Sequence, residues 1–123
     1  MIMVNVDTLA ATVTDSGTEL RVLLDTTGSG QGRMSLAMET LRPGQHTVPH
    51  WHEHLEEIYY IVRGRGQMTV GAEVCDVGAG DAILIPLRAV HCLQNTGDDE
   101  LWLLCPVSPP WYPEDYHTAP APA

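Results

Sequence analysis

Turns built on Gly, Pro, Asn and Asp interrupt this chain every few residues and leave only short runs of β-branched, aromatic and aliphatic side chains between them. The punctuation reads Gly28-Ser29-Gly30-Gln31-Gly32, Pro43-Gly44, Gly64-Arg65-Gly66, Gly71-Ala72, Gly78-Ala79-Gly80 and Asn95-Thr96-Gly97. The runs predict strands at 19–24, 34–41, 58–62, 67–70, 73–77, 82–85, 91–94 and 101–105, with residues 4–13 as a further edge strand. So many short strands at this spacing predict an all-β chain, a single jelly-roll β-barrel. The 123 residues suit one domain.

The glycine-rich stretch at 28–32 lies between two strand-like runs and opens no helix, so it predicts a hairpin loop rather than a phosphate cradle. Six of the nine prolines fall at Pro106, Pro109, Pro110, Pro113, Pro120 and Pro122. Proline gives no N–H to a ladder, so the barrel is expected to occupy residues 1–107 and a Pro-rich tail residues 108–123. Trp111, Tyr112 and Tyr116 equip that tail to lie across the barrel or a partner subunit, with residues 119–123 expected to be disordered.

The charge narrows the function classes. Sixteen acidic residues face six basic ones, a formal net charge of −10, and every basic residue is Arg. Without Lys there is no Schiff-base or phosphate-loop lysine. Nucleic acid and anionic membrane surfaces find no basic patch to dock on. A small anionic substrate still fits if one or two Arg side chains are buried beside it. Cys75, Cys92 and Cys105 form an odd set without CxxC spacing, and the N-terminus shows no basic segment followed by an apolar run. Free thiols in a reducing, cytoplasmic setting are the expectation.

Three of six histidines alternate at His50, His52 and His54. In a strand, residues i and i+2 share a face, so His50 and His52 can hold one ion together. A helical reading would instead align His50, His54 and Glu57 at i, i+4 and i+7 in front of Leu55, Ile58, Tyr59 and Val62. Pro49, the β-rich run from Ile58 to Val62 and the following turn weigh against it. Glu57 and its neighbour Glu56 both lie within reach, and His91 opens a later strand just after Pro86-Leu87-Arg88. Three imidazoles and a carboxylate suit a first-row divalent ion with one or two positions left for water or substrate. Leu36, Met38, Trp102 and Leu104 join Tyr59, Ile83, Ile85 and Leu93 as candidates for the barrel lining, and Trp51, between two ligands, is expected to point away from the metal.

Two gapped patterns resemble those of the cupins. The first, G-x5-H-x-H-x3–4-E-x6-G, is met at Gly44, His50, His52, Glu57 and Gly64. The second, G-x5-P-x-G-x2-H-x3-N, is met at Gly80, Pro86, His91 and Asn95, with Arg88 where the family usually has Gly. The resemblance runs from about Leu20 to Val107. It implies a cupin-like double-stranded β-helix, the metal ligands His50, His52, Glu57 and His91, one divalent ion (Fe, Mn, Ni or Zn) and a homodimer. Arg88 then stands at a turn where Gly often serves a positive φ, as a solvated residue or as a partner for a substrate carboxylate. Ser is scarce and no GxSxG motif is present, so chemistry would rest on the metal, with a nearby Glu, His or Tyr moving protons. The resemblance therefore implies a metalloenzyme acting on a small oxygen-rich substrate by dioxygenase, isomerase, cyclase or lyase type chemistry. The alternative is a non-catalytic module in which the metal anchors a small ligand.

Overall fold

A computed structural model describes residues 1–119. The strands are β1 (Thr12–Val13), β2 (Glu19–Asp25), β3 (Ser35–Leu41), β4 (His50–Trp51), β5 (Glu56–Arg63) and β6 (Arg65–Val70). They continue with β7 (Glu73–Gly78), β8 (Ala82–Ile85), β9 (His91–Asn95), β10 (Leu101–Ser108) and β11 (His117–Thr118). Short 3-10 turns cover Val6–Thr8 and Pro113–Asp115, and there is no α-helix among the described residues. One sheet runs β1-β2-β3-β10-β5-β8, the other β11-β4-β9-β6-β7, and every pairing is antiparallel. This is the all-β jelly-roll barrel expected from the turn spacing.

The core lies between the sheets, where Leu41, Tyr59, Ile61, Met68, Leu93, Leu101 and Leu103 pack together. Strict alternation in β5 sends Glu57, Tyr59 and Ile61 inward and Glu56, Ile58 and Tyr60 outward. The same alternation corrects part of the expected lining. Leu101, Leu103 and Cys105 face the core, so Trp102 and Leu104 must face out, and Met38 and Leu36 oppose Leu104 and Pro106 on that outer side. Both faces of β10 carry apolar side chains, and in β3 the outer Leu36 and Met38 are more apolar than the inner Ser35 and Glu39, which hid the inward set.

Two other expectations change, and one alternative is decided. Residues 4–13 form a 3-10 turn and a two-residue strand rather than one edge strand. Asn5 caps that turn through its Oδ1, which accepts the Asp7 N–H at 2.9 Å. Pro106 lies within β10 rather than beyond it; the ladder to β5 has no partners at Cys105 or Pro106, where proline has no N–H to give. The segment after Ser108 folds back onto its own barrel, with β11 pairing β4. Of the stretch expected to be disordered, residues 120–123 lie outside the described residues, and Ala119 donates its N–H to the Pro49 carbonyl.

Two motif positions are explained by backbone shape. Gly64 joins β5 to β6 with φ +87, and a Cβ there would stand 2.5 Å from the Glu100 carbonyl oxygen. Asn95 donates from Nδ2 to the Leu41 and Asp99 carbonyls and accepts the Gly97 N–H on Oδ1, tying the end of β9 to β3 and to the turn before β10.

Candidate metal centre

His50, His52, Glu57 and His91 converge inside the barrel, each with a potential ligand atom within 4.8 Å of the others'. All four are buried. His50 in β4 stands directly across from His91 in β9. Glu57 reaches the group from β5 in the opposite sheet, while Glu56 points to solvent. The strand reading of the histidine pair is therefore correct. His54, which a helix would have included, is exposed in the loop before β5.

Backbone carbonyls fix the orientation of each imidazole. Nδ1 of His50 lies 2.6 Å from the Val48 oxygen, Nδ1 of His52 2.7 Å from that of Asp115, and Nδ1 of His91 3.0 Å from that of Ala89. A carbonyl only accepts, so each Nδ1 carries a proton, and in the neutral form of each ring Nε2 turns its lone pair toward the centre. His91 Nε2 lies 3.0 Å from Glu57 Oε1. In that tautomer two acceptors face each other, an arrangement that requires a proton or a cation between them. His52 Nε2, 3.6 Å from the same oxygen, is fully buried and has no hydrogen-bond partner.

The electrostatics of His50 and Glu57 agree. Burial, together with neighbouring His91, holds the His50 imidazole down at about 4, so it is neutral near pH 7. Burial alone would raise the Glu57 carboxyl, but His52 and His91 outweigh it and hold it at about 2. For His52 the order reverses: burial disfavours its charge, and the Glu57 carboxylate and Asp115 carbonyl overcome that and raise it. An anionic carboxylate and three imidazole nitrogens, one of them the orphaned His52 Nε2, form a donor set that fits a divalent ion. Donors at about 2.1 Å from one ion stand roughly 3 to 4 Å apart, so a small contraction closes the set.

The tail supports the centre in a way the sequence did not reveal. Asp115 is 2% exposed, and its carboxylate accepts the N–H groups of Glu53, His54 and Leu55, each at 2.8 Å. Its own carbonyl orients His52. Trp51 points away from the centre, as expected, and stacks on His117 with ring centroids 4.2 Å apart. Nothing in the spacing linked Asp115 to residues 60 or more positions earlier.

Arg88 has φ +67, the one positive value outside glycine among the described residues, which is what the Gly of the motif would supply. Its N–H is donated to the His52 carbonyl at 2.8 Å, and its guanidinium pairs with Glu53 at 2.8 Å while staying 70% exposed. It is a solvated turn residue that braces the His52 loop.

A cavity of about 360 Å³ opens onto His50, Glu57 and Tyr59. Val22, Ala37, Val48, Val107, Trp111 and Tyr116 give it mostly apolar walls, and Asp15, Asp25 and Glu39 add carboxyl groups. No Arg lines it; five of the six are exposed, and Arg21 is only partly buried. No Arg stands in this wall to pair with a small anionic substrate.

The sequence pattern of the cupin domain matches residues 37–107. The chain belongs to the cupin family. It is 38% identical over 109 residues to an uncharacterised protein of Methanocaldococcus jannaschii, covering 89% of this chain and 87% of that one. It is 35% identical over 95 residues to the polyketide synthase CurC of Streptomyces cyaneus, covering 76% of this chain and 60% of the relative. A crystal structure of a predicted oxalate decarboxylase from Thermotoga maritima superposes with a TM-score of 0.80 at 24% identity, over 87% of this chain and 98% of that one. That likeness concerns the fold. The choice of chemistry rests on the site.

Proposed function

We propose that this cupin is a metal-dependent enzyme acting on a small, neutral, oxygen-bearing organic molecule held in the cavity beside His50 and Glu57. The observation that carries the reading is the cavity wall, which is apolar and carboxylate-bearing and has no cationic side chain to receive an anion. His50, His52, Glu57 and His91 would hold one divalent ion. When bound, such an ion acts as a Lewis acid toward a substrate oxygen, and an iron ion would also open oxygen chemistry. The protein supplies the remainder: Tyr116, 4.8 Å from the His50 ring, and Trp111 offer aromatic surface to a ligand in the cavity. Isomerase, cyclase and lyase chemistry on a neutral ketone or phenol fits these walls better than decarboxylation of a dianion.

The working unit in this reading is a homodimer formed through the outer face of the six-stranded sheet. Ile58, Tyr60 and Val62 of β5 and Leu84 of β8 lie there 40–70% exposed. These side chains are uncharged on a strongly acidic chain, and two identical copies meet most readily where that charge is absent. Among the described residues no helix is long and apolar enough to cross a membrane. The three unpaired thiols support a reducing, cytoplasmic setting.

Turnover of neutral ketones, phenols and their carboxylated counterparts by metal-loaded protein, followed by mass spectrometry and oxygen uptake, tests the reading. Conversion confined to the neutral members is expected. Preferential conversion of the anions would overturn the substrate class, and binding without any conversion would favour the ligand-anchoring module.

A further inference from the structure

We infer that Glu39 is the residue that exchanges a proton with the substrate, and that Ser16, Thr14 and Thr18 connect it to the surface. This rests on the enzyme reading above and assigns a role inside the same cavity.

Glu39 lies on the inner face of β3, opposite Leu103, in the wall shared with His50 and Glu57. It is 9% exposed and has no ion pair among the described residues. Burying a carboxyl without a cationic partner is costly, and an aliphatic side chain would fill that wall more cheaply. Its one hydrogen bond comes from Thr18 Oγ1 to Oε1, at 2.5 Å. Oε2 has no protein partner among the described residues, yet it is not a sealed atom as His52 Nε2 is, so it opens to the cavity.

The hydroxyl chain has a direction. Thr18 has a single hydroxyl proton and gives it to ionised Glu39. Toward Thr14, 2.5 Å away, it can then only accept, and Thr14 in turn must accept from Ser16 at 3.2 Å. When Glu39 is protonated, each bond can reverse. Those two arrangements are the two ends of a relay. Thr18 is fully buried, whereas Thr14 and Ser16 are half-buried. The turn carrying them is closed by Thr14 N–H to the Thr18 carbonyl and Gly17 N–H to the Thr14 carbonyl, both 2.9 Å. Burial lifts the Glu39 carboxyl above its ordinary range, with Thr18 opposing and Glu57 adding to the rise, which suits a base working nearer neutrality.

On a substrate with a C–H beside a carbonyl, that bond breaks and its electron pair forms the new C=C. The carbonyl π pair moves to oxygen, and the proton bonds to Oε2 of Glu39. One negative charge passes from carboxylate to substrate oxygen, and return of the proton to either carbon or oxygen completes an isomerisation or exchange.

The test is deuterium exchange at the carbons next to the carbonyl of 2-tetralone in D2O, followed by proton NMR, with ketone affinity measured separately by calorimetry and metal content by elemental analysis. Wild-type protein loaded with its ion should accelerate exchange above buffer. Glu39→Gln should lower that rate about 100-fold while changing ketone affinity less than about threefold. Thr18→Val should lower it about tenfold and Thr18→Ser should restore it, which a purely structural hydroxyl would not require. Wild-type exchange rates in Glu39→Gln, or ketone binding by wild type without exchange, would overturn the assignment; an unaffected Thr18→Val would overturn the relay. Protein that holds metal and binds the ketone but ignores Glu39→Gln refutes Glu39 alone. Protein that does neither refutes the enzyme reading and the inference with it.

Discussion

Within the centre, the individual nitrogen atoms carry the argument. Each ring has its Nδ1 spoken for by a carbonyl, and His52 Nε2 is left buried and unpartnered. Leaving such an atom unsatisfied costs roughly 1–3 kcal/mol, which a bound ion would offset. Arg88 is a second residue whose behaviour follows from one angle. At φ +67 an ordinary side chain is strained by about 1 kcal/mol, while an exposed ion pair returns at most about as much. Arg88→Gly should therefore leave the urea midpoint unchanged or slightly raised. Arg88→Val, which adds β-branching at positive φ, should lose about 2 kcal/mol in the same measurement. The motif mismatch at Arg88 was legible in the sequence, and so was the reason a Gly would be favoured there. The partnership with Glu53 was not, because a salt bridge across 35 positions leaves no local trace.

At the level of elements, β4 is only two residues long yet carries His50 and pairs with both β9 and β11. What holds the loop after it is Asp115. Burial alone would raise the Asp115 carboxyl, but the N–H groups of His54, Glu53 and Leu55, with His117, outweigh that and hold it at about 2. Folded protein thus keeps this carboxylate ionised at pH values where the unfolded chain, with its ordinary value of 3.8, begins to take up a proton. Its stabilising contribution is complete well above pH 4 and disappears as pH falls toward 2. The urea midpoints of wild type and Asp115→Asn should differ by a constant amount above pH 5, and the gap should close between about pH 4 and pH 2; a gap independent of pH would contradict this. Asp115→Ala should cost about 3 kcal/mol and weaken metal affinity about tenfold or more, since the peptide that orients His52 loses its anchor. The main strands were readable because turns bracket them. β11 and Asp115 were not, because pairing in a Pro-rich segment depends on contacts made only after the barrel has formed.

Across the whole molecule, the six-stranded sheet carries large apolar side chains on both sides. Inner residues such as Leu101 and Leu103 build the core, and outer ones such as Ile58, Tyr60 and Leu84 meet solvent. That double apolarity is why alternation could not separate lining from surface in β3 and β10 before the fold was known. It also sets an expectation for assembly: sedimentation should give twice the chain mass, and Leu84→Glu with Tyr60→Glu should give the single-chain mass with the metal content unchanged. A wild-type monomer would refute it. The barrel, the two gapped motifs and the convergence of four residues from three strands and a loop were all anticipated from spacing and family resemblance. The cavity's lack of Arg was not, because the composition counts six without saying where they stand.

Metal content of the purified protein tests the four-residue centre most directly. After supply of Mn, Fe, Ni or Zn and exhaustive dialysis, about one ion per wild-type chain is expected, falling at least tenfold in His52→Ala and His91→Ala and remaining unchanged in His54→Ala. Full occupancy in His52→Ala and His91→Ala, or no retained ion in wild type, would contradict it.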